Sequence, residues 1–175
     1  MKVIGLAGWS GAGKTTLLTR LIPHFTAQGL RVSVIKHAHH KFDVDMPGKD
    51  SWRHREAGAE EVLVSSGNRW ALMHELRGAG EPRLPELLAK MSRVDLVVIE
   101  GFKREPHRKI EVHRAANAKP LLFPDDPGVV GIATDVAVET TLPTAHLDDI
   151  EAVAAMMLRS AVPVEDVLAK SLSEG

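Results

Sequence analysis

The chain has 175 residues, with 22 Lys plus Arg against 23 Asp plus Glu and a formal charge of −1. This near-neutrality argues against a protein that holds nucleic acid by bulk electrostatics, and 44% hydrophobic with 26% charged residues excludes a disordered chain. With no cysteine, disulfides, iron–sulfur clusters, thiolate zinc and cysteine nucleophiles are excluded. The length favours one domain over residues 1–175. No apolar run of about 18 residues predicts a membrane span, and the first residues reach glycines and a lysine too early for a signal peptide, so a cytoplasmic protein is expected.

Lys2 to Ala7 reads as a buried strand that stops at Gly8. After a glycine-rich turn, Leu17, Leu18, Leu21, Ile22 and Phe25 share one helical face, and Gly29 suits a left-handed helix end. Arg31 to Lys36 is a β-branched second strand, so the first ~36 residues form a βαβ unit and call for a parallel sheet. The expected class is α/β, a three-layer fold with a mostly parallel central sheet flanked by helices. Residues 37 to 50 read as a long polar loop, followed by a short helix from Ser51 to Ala57. Glu61 to Ser65 and Arg69 to His74 are strands around Gly67-Asn68, and Leu84 to Met91 is an amphipathic helix with Pro85 in its first turn. Val94 to Glu100 is almost wholly apolar, which suits a central strand covered on both faces. Lys109 to His113 and Val129 to Thr134 are further strands. Asp148 is expected to cap a helix over Ile150 to Leu158, and Pro163 to start a last short helix.

The sharpest motif is Gly8-Trp9-Ser10-Gly11-Ala12-Gly13-Lys14-Thr15, which fits G-x-x-x-x-G-K-[ST] between a strand and a helix. Its glycines let backbone N–H groups turn inward toward phosphate oxygens, and the helix that starts near Gly13 adds the positive end of its dipole. Lys14 supplies a cation for the β- and γ-phosphates, and Thr15 a hydroxyl for Mg²⁺. Gly8, Ser10, Gly11, Ala12, Gly13, Lys14, Thr15 and Thr16 are therefore the predicted triphosphate cradle, and the expected three-layer fold is that of a P-loop NTPase. A carboxylate that completes a magnesium site belongs at the carboxyl end of a neighbouring strand. Glu100 ends its strand there, whereas Asp95 begins it and is expected to be a turn residue.

The loop after the second strand begins at the same sheet edge and is crowded with charge. Lys36, His37 and Lys49 are candidates for phosphate or an anionic partner. Asp43, Asp45 or Asp50 is a candidate to orient a water or a magnesium ligand. His37, His39 and His40 raise the alternative of a transition-metal site. The basic run Lys103, Arg104, His107, Arg108 and Lys109 is a candidate for an anionic ligand or a partner's acidic face.

Three elements together carry a family resemblance. They are Gly8 to Thr16, the segment Lys36 to Ala59 with Asp45 and Pro47-Gly48-Lys49-Asp50-Ser51, and Val98 to Lys103 (VIEGFK). Over about residues 1 to 140 the chain resembles the molybdopterin-guanine dinucleotide biosynthesis protein B (MobB) family. The resemblance implies a small GTP-binding protein with weak GTPase activity that acts as an adapter when GMP is attached to molybdopterin. The nucleotidyl transfer would belong to a MobA-type nucleotidyltransferase as partner. It also implies a homodimer with protruding strands, here about residues 66 to 82, with GTP and Mg²⁺ as ligands. The chain departs from many GTPases in lacking N-K-x-D: the nearest run is Asn117-Ala118-Lys119-Pro120. Asp135, which follows the strand Val129 to Thr134, is the candidate to accept the paired guanine N–H donors. Two further readings of the same loop are a small-molecule kinase and a metallochaperone-type GTPase that uses the histidines.

Overall fold

In a computed structural model of the protein, residues 1–38, 42–103 and 105–172 are described, the last three by their backbone alone. The apolar runs form β1 (Lys2–Ala7), α1 (Lys14–Ala27), β2 (Val32–Lys36), α2 (Asp50–Glu56), β3 (Glu61–Ser65), β4 (Trp70–His74), α3 (Leu84–Ala89) and β5 (Leu96–Glu100). These are followed by β6 (Lys109–His113), β7 (Val129–Thr134), β8 (Thr144–His146), α4 (Ile150–Ser160), β9 (Val162–Pro163) and α5 (Val164–Leu172). The chain packs as two compact units, one made of Met1–His37 and Leu84–Gly175, the other of Ala38–Arg83.

The first unit is built on a seven-stranded sheet in the order β2-β5-β1-β6-β7-β8, with β9 also paired to β1. Every pair is parallel except β1 with β9, where Lys2 faces Pro163. Strand alternation sorts the core into two layers. Ile4, Leu6, Leu96, Val98, Ile110 and Val112 face α1 and α4, while Val3, Val97 and Ile99 face α3 and α5. This is the expected three-layer architecture, and it explains why β5 reads as a continuous apolar run: both of its faces are covered. The helix cap falls one residue later than expected. Asp149 accepts a hydrogen bond from Ala152 N–H at 2.9 Å, whereas Asp148 is turned to Arg20 at 2.9 Å. Pro163 is likewise spent on the short β9, and α5 starts at Val164.

Strand β6 carries two buried charges. Lys109 and Glu111 are each 1% exposed, on the face opposite Ile110 and Val112. Coil covers the sheet there, and its backbone groups need partners. The Lys109 ammonium donates to the carbonyls of Lys103 (3.1 Å) and Glu105 (2.9 Å) and to Asp126 (3.0 Å). Glu111 accepts from the N–H groups of Leu122 and Phe123 at 2.7 and 3.0 Å. Burial nevertheless raises its carboxyl above the usual range.

The second unit contains α2 and the antiparallel hairpin β3–β4, in which Leu63 pairs with Leu72 and Ser65 with Trp70. Arg55 ties it together, reaching Asp43 (2.9 Å), Asp45 (3.4 Å) and Glu75 (2.8 Å) while only 13% of its side chain is exposed. Among the described residues no helix is long and apolar enough to cross a membrane.

Candidate functional site

The phosphate loop sits between the carboxyl end of β1 and the start of α1. Gly8, Gly11 and Gly13 all have positive φ, at 147°, 82° and 92°. At Gly8 the need for glycine is also spatial, because a Cβ would lie 2.4 Å from the Val112 carbonyl oxygen. The loop is braced from outside: Trp9 Nε1 donates to the Pro120 carbonyl at 2.7 Å and Asn117 Nδ2 to the Ser10 carbonyl at 3.0 Å.

The cationic and hard-oxygen groups meet at this edge. Lys14 curls back over its own loop, with Nζ 2.9 Å from the Gly8 carbonyl and 3.0 Å from that of Trp9. Burial, followed by the charge of Lys103, holds this ammonium below its usual pKa. The Thr15 hydroxyl donates to Glu100 Oε1 at 2.7 Å, and Glu100 is only 6% exposed. Lys36 is the register neighbour of Glu100 across β2 and β5. Its Nζ lies 3.4 Å from Thr15 Oγ1 and 3.6 Å from Glu100 Oε1. A cation is thus held against a hydroxyl and a buried carboxylate, a donor set that suits a hard divalent ion which keeps waters and phosphate oxygens as its other ligands.

Two other residues read as site candidates have different surroundings. The His37 ring stacks on Phe102 with centroids 4.6 Å apart and planes at 27°. Asp135 accepts from Ala115 N–H at 2.8 Å and stands 3.7 Å from the Arg114 guanidinium. These contacts, the amide first, hold its carboxyl below the usual range. Lys49 belongs to the other unit, directly before α2. Asp43 and Asp45 are engaged by Arg55. His39 and His40, needed for the three-histidine metal site, lie outside the described residues.

The basic run must be corrected. Lys109 and His107 are 1% and 3% exposed, so they are interior groups and not part of an anion-binding surface. Arg104 lies outside the described residues. Lys103 instead reaches the phosphate loop, with its ammonium 4.6 Å from the centroid of the Trp9 ring. The sequence signal was present, since Lys103 closes the VIEGFK segment, but periodicity cannot tell a side chain that turns back over a loop from one in water.

Comparison with known proteins decides the family. The family model described as molybdopterin guanine dinucleotide synthesis protein B matches residues 3–135. The chain belongs to this family. It is 43% identical to the Escherichia coli (strain K12) molybdopterin-guanine dinucleotide biosynthesis adapter protein over 155 residues, which cover 87% of this chain and 89% of that protein. It is 46% identical to the adapter protein of Haemophilus influenzae over 140 residues, covering 78% and 76%. A crystal structure of a molybdopterin-guanine biosynthesis protein B superposes with a TM-score of 0.72 at 26% identity, covering 90% of this chain and 98% of that one. The Bacillus subtilis MobB structure, at 24% identity and a TM-score of 0.71, shows the same fold. The MobB match spans both the phosphate loop and Glu100.

Proposed function

We propose that the chain is a GTP-binding adapter with weak GTPase activity, acting where GMP is attached to molybdopterin to form molybdopterin guanine dinucleotide. The observation that carries this reading is the convergence of Lys14, Thr15, Glu100 and Lys36 at the carboxyl edge of a parallel sheet, in a chain that belongs to the MobB family. Phosphoryl transfer needs positioning and charge neutralisation more than covalent chemistry. Lys14 would leave the Gly8 and Trp9 carbonyls for the β- and γ-phosphates, and the inward N–H groups of Gly8 to Thr16 would hold the same oxygens. Thr15 and Glu100 would hold Mg²⁺, which supplies charge neutralisation on the phosphates. Lys36, which now sits against both oxygens, would then turn to phosphate. Among the described residues the site offers no evident general base, which favours slow turnover without a partner. The nucleotidyl transfer is assigned to a MobA-type partner enzyme.

For the base, Asp135 is our assignment. It lines a cavity of about 300 Å³ with Thr134, Val136 and His146. A carboxylate accepts from both N1–H and the 2-amino group of guanine, a donor pair that adenine lacks. We further assign a homodimer to the hairpin, whose outer face leaves Leu63 60%, Trp70 66% and Leu72 49% exposed.

Calorimetric titration with GTP and ATP, each with Mg²⁺, tests the reading. Saturable GTP binding is expected in the parent, with loss of at least tenfold in Lys14→Ala and in Glu100→Gln, the size of one or two charge-assisted contacts. An Asp135→Ala chain should bind GTP and ATP alike. Binding indifferent to Lys14→Ala would sink the site, and an unchanged GTP preference in Asp135→Ala would remove only the base assignment.

A further inference from the structure

The loop after β5 is held more firmly than a connection needs. Gly101 has φ 102° and Phe102 φ 49°, a left-handed conformation that costs a non-glycine residue about 1 kcal/mol or more. Phe102 stays there because its ring is 8% exposed within the α3–α5 core and stacks on His37. The next residue is fixed from the inside, since the buried Lys109 ammonium takes the Lys103 carbonyl at 3.1 Å. A strained turn and a buried cation thereby set the backbone of Lys103, and its half-buried side chain returns over the Trp9 ring at 4.6 Å.

A third ammonium is thus delivered to a sheet edge that already holds Lys14 and Lys36. Around Lys14, Lys103 and Lys36 both repel the charge and Glu100 alone favours it. Such an excess of positive charge beside a glycine-rich loop at the start of a helix suits an anion of several charges. A cation–π contact at a ring that solvent still reaches is worth only about 0.5–1 kcal/mol, so a phosphate oxygen easily competes for this ammonium.

We propose that Lys103 is a further phosphate-binding residue, and that a bound nucleoside triphosphate draws its ammonium from the Trp9 ring onto the terminal phosphate. This rests on the reading of Gly8–Thr16 as the triphosphate site. The ammonium is supplied by the chain itself, from the loop that directly follows Glu100 at the end of β5, so one short stretch would meet both the divalent ion and the terminal phosphate.

The test uses the full chain with Trp52→Phe and Trp70→Phe, which leaves Trp9 as its one indole among the three of the sequence. It is titrated with magnesium and either guanosine 5′-[β,γ-imido]triphosphate or GDP. The triphosphate should change Trp9 emission while GDP leaves it unaltered. Adding Lys103→Ala should abolish that change and weaken the triphosphate roughly ten- to hundredfold, as expected for one lost charge-assisted contact. GDP affinity should stay the same, and Lys103→Arg should retain most of the triphosphate affinity. Equal loss of both nucleotides in Lys103→Ala would overturn the proposal, since it would report a damaged loop. Unchanged triphosphate binding in Lys103→Ala, with loss in Lys14→Ala, would overturn it while leaving the phosphate-loop reading intact. A parent chain that binds neither nucleotide would remove both.

Discussion

At the scale of single residues, the buried polar groups of the first unit carry consequences for stability. His107 packs so closely on β1 that a Cβ on Gly5 would lie 2.4 Å from its Nε2. Burial, then the Lys109 charge, pulls its pKa down to about 4 from 6.5. Between those two values the unfolded chain binds a proton that the folded chain refuses. Stability is therefore full above about pH 6.5 and falls as pH drops toward 4. Between pH 7 and pH 5 this one group should cost about 2 kcal/mol. Urea unfolding at the two pH values should show that loss in the parent, and His107→Leu should be flatter by about one proton's worth; equal slopes would contradict the assignment. Lys109 makes a second case. Lys109→Ala leaves two carbonyls and Asp126 without their donor. It should lower stability by about 2–4 kcal/mol in urea, whereas a surface lysine would cost almost nothing. Lys109 was not legible as interior. In KIEVH the charges alternate with apolar residues, which is also the pattern of a strand with one wet face.

At the scale of elements, the parts with strong periodicity were readable and the parts set by tertiary contact were not. β1, α1, β2 and β5 follow from apolar spacing and glycine punctuation, and with them comes the placement of Lys14, Thr15 and Glu100. β8 and β9 have three and two residues, too few for any period to register, and exist because neighbouring strands offer unpaired backbone groups. The cap at Asp149 in place of Asp148 was undecidable locally, since both carboxylates precede the same helix and Arg20, distant in sequence, draws Asp148 away. The helix α2 has seven residues and none of them is buried, so apolar packing does not hold it. Arg55 does, by joining the loop at Asp43 and Asp45 to Glu75 after β4. Arg55→Lys keeps the charge but loses the fork that reaches three carboxylates. Hydrogen exchange in that variant should quicken across residues 42–75 and stay unchanged in β1, β5 and β6. Uniform acceleration, or none, would refute this role.

At the scale of the whole molecule, the phosphate loop, Glu100, Lys36 and Lys103 all lie in the unit formed by Met1–His37 and Leu84–Gly175, and the hairpin lies in the other. Nucleotide chemistry and self-association should therefore be separable by mutation. An isolated two-stranded hairpin is marginal in water, and here Glu61, Leu63 and Ser65 share an outer face with Trp70, Leu72 and His74. Three large apolar side chains on that face are about half exposed or more. A second copy of the same face would cover them, pairing like with like as a two-fold axis requires. Replacing Leu63 and Leu72 together by Asp places two like charges on facing positions of the hairpin and at its centre. If the parent sediments at equilibrium with the mass of two chains, the doubly substituted chain should give the mass of one, and calorimetry should give it the GTP affinity expected of the parent. A doubly substituted chain that still sediments as a dimer would move the interface away from the hairpin. One that loses GTP binding as well would show that the phosphate loop depends on the second copy.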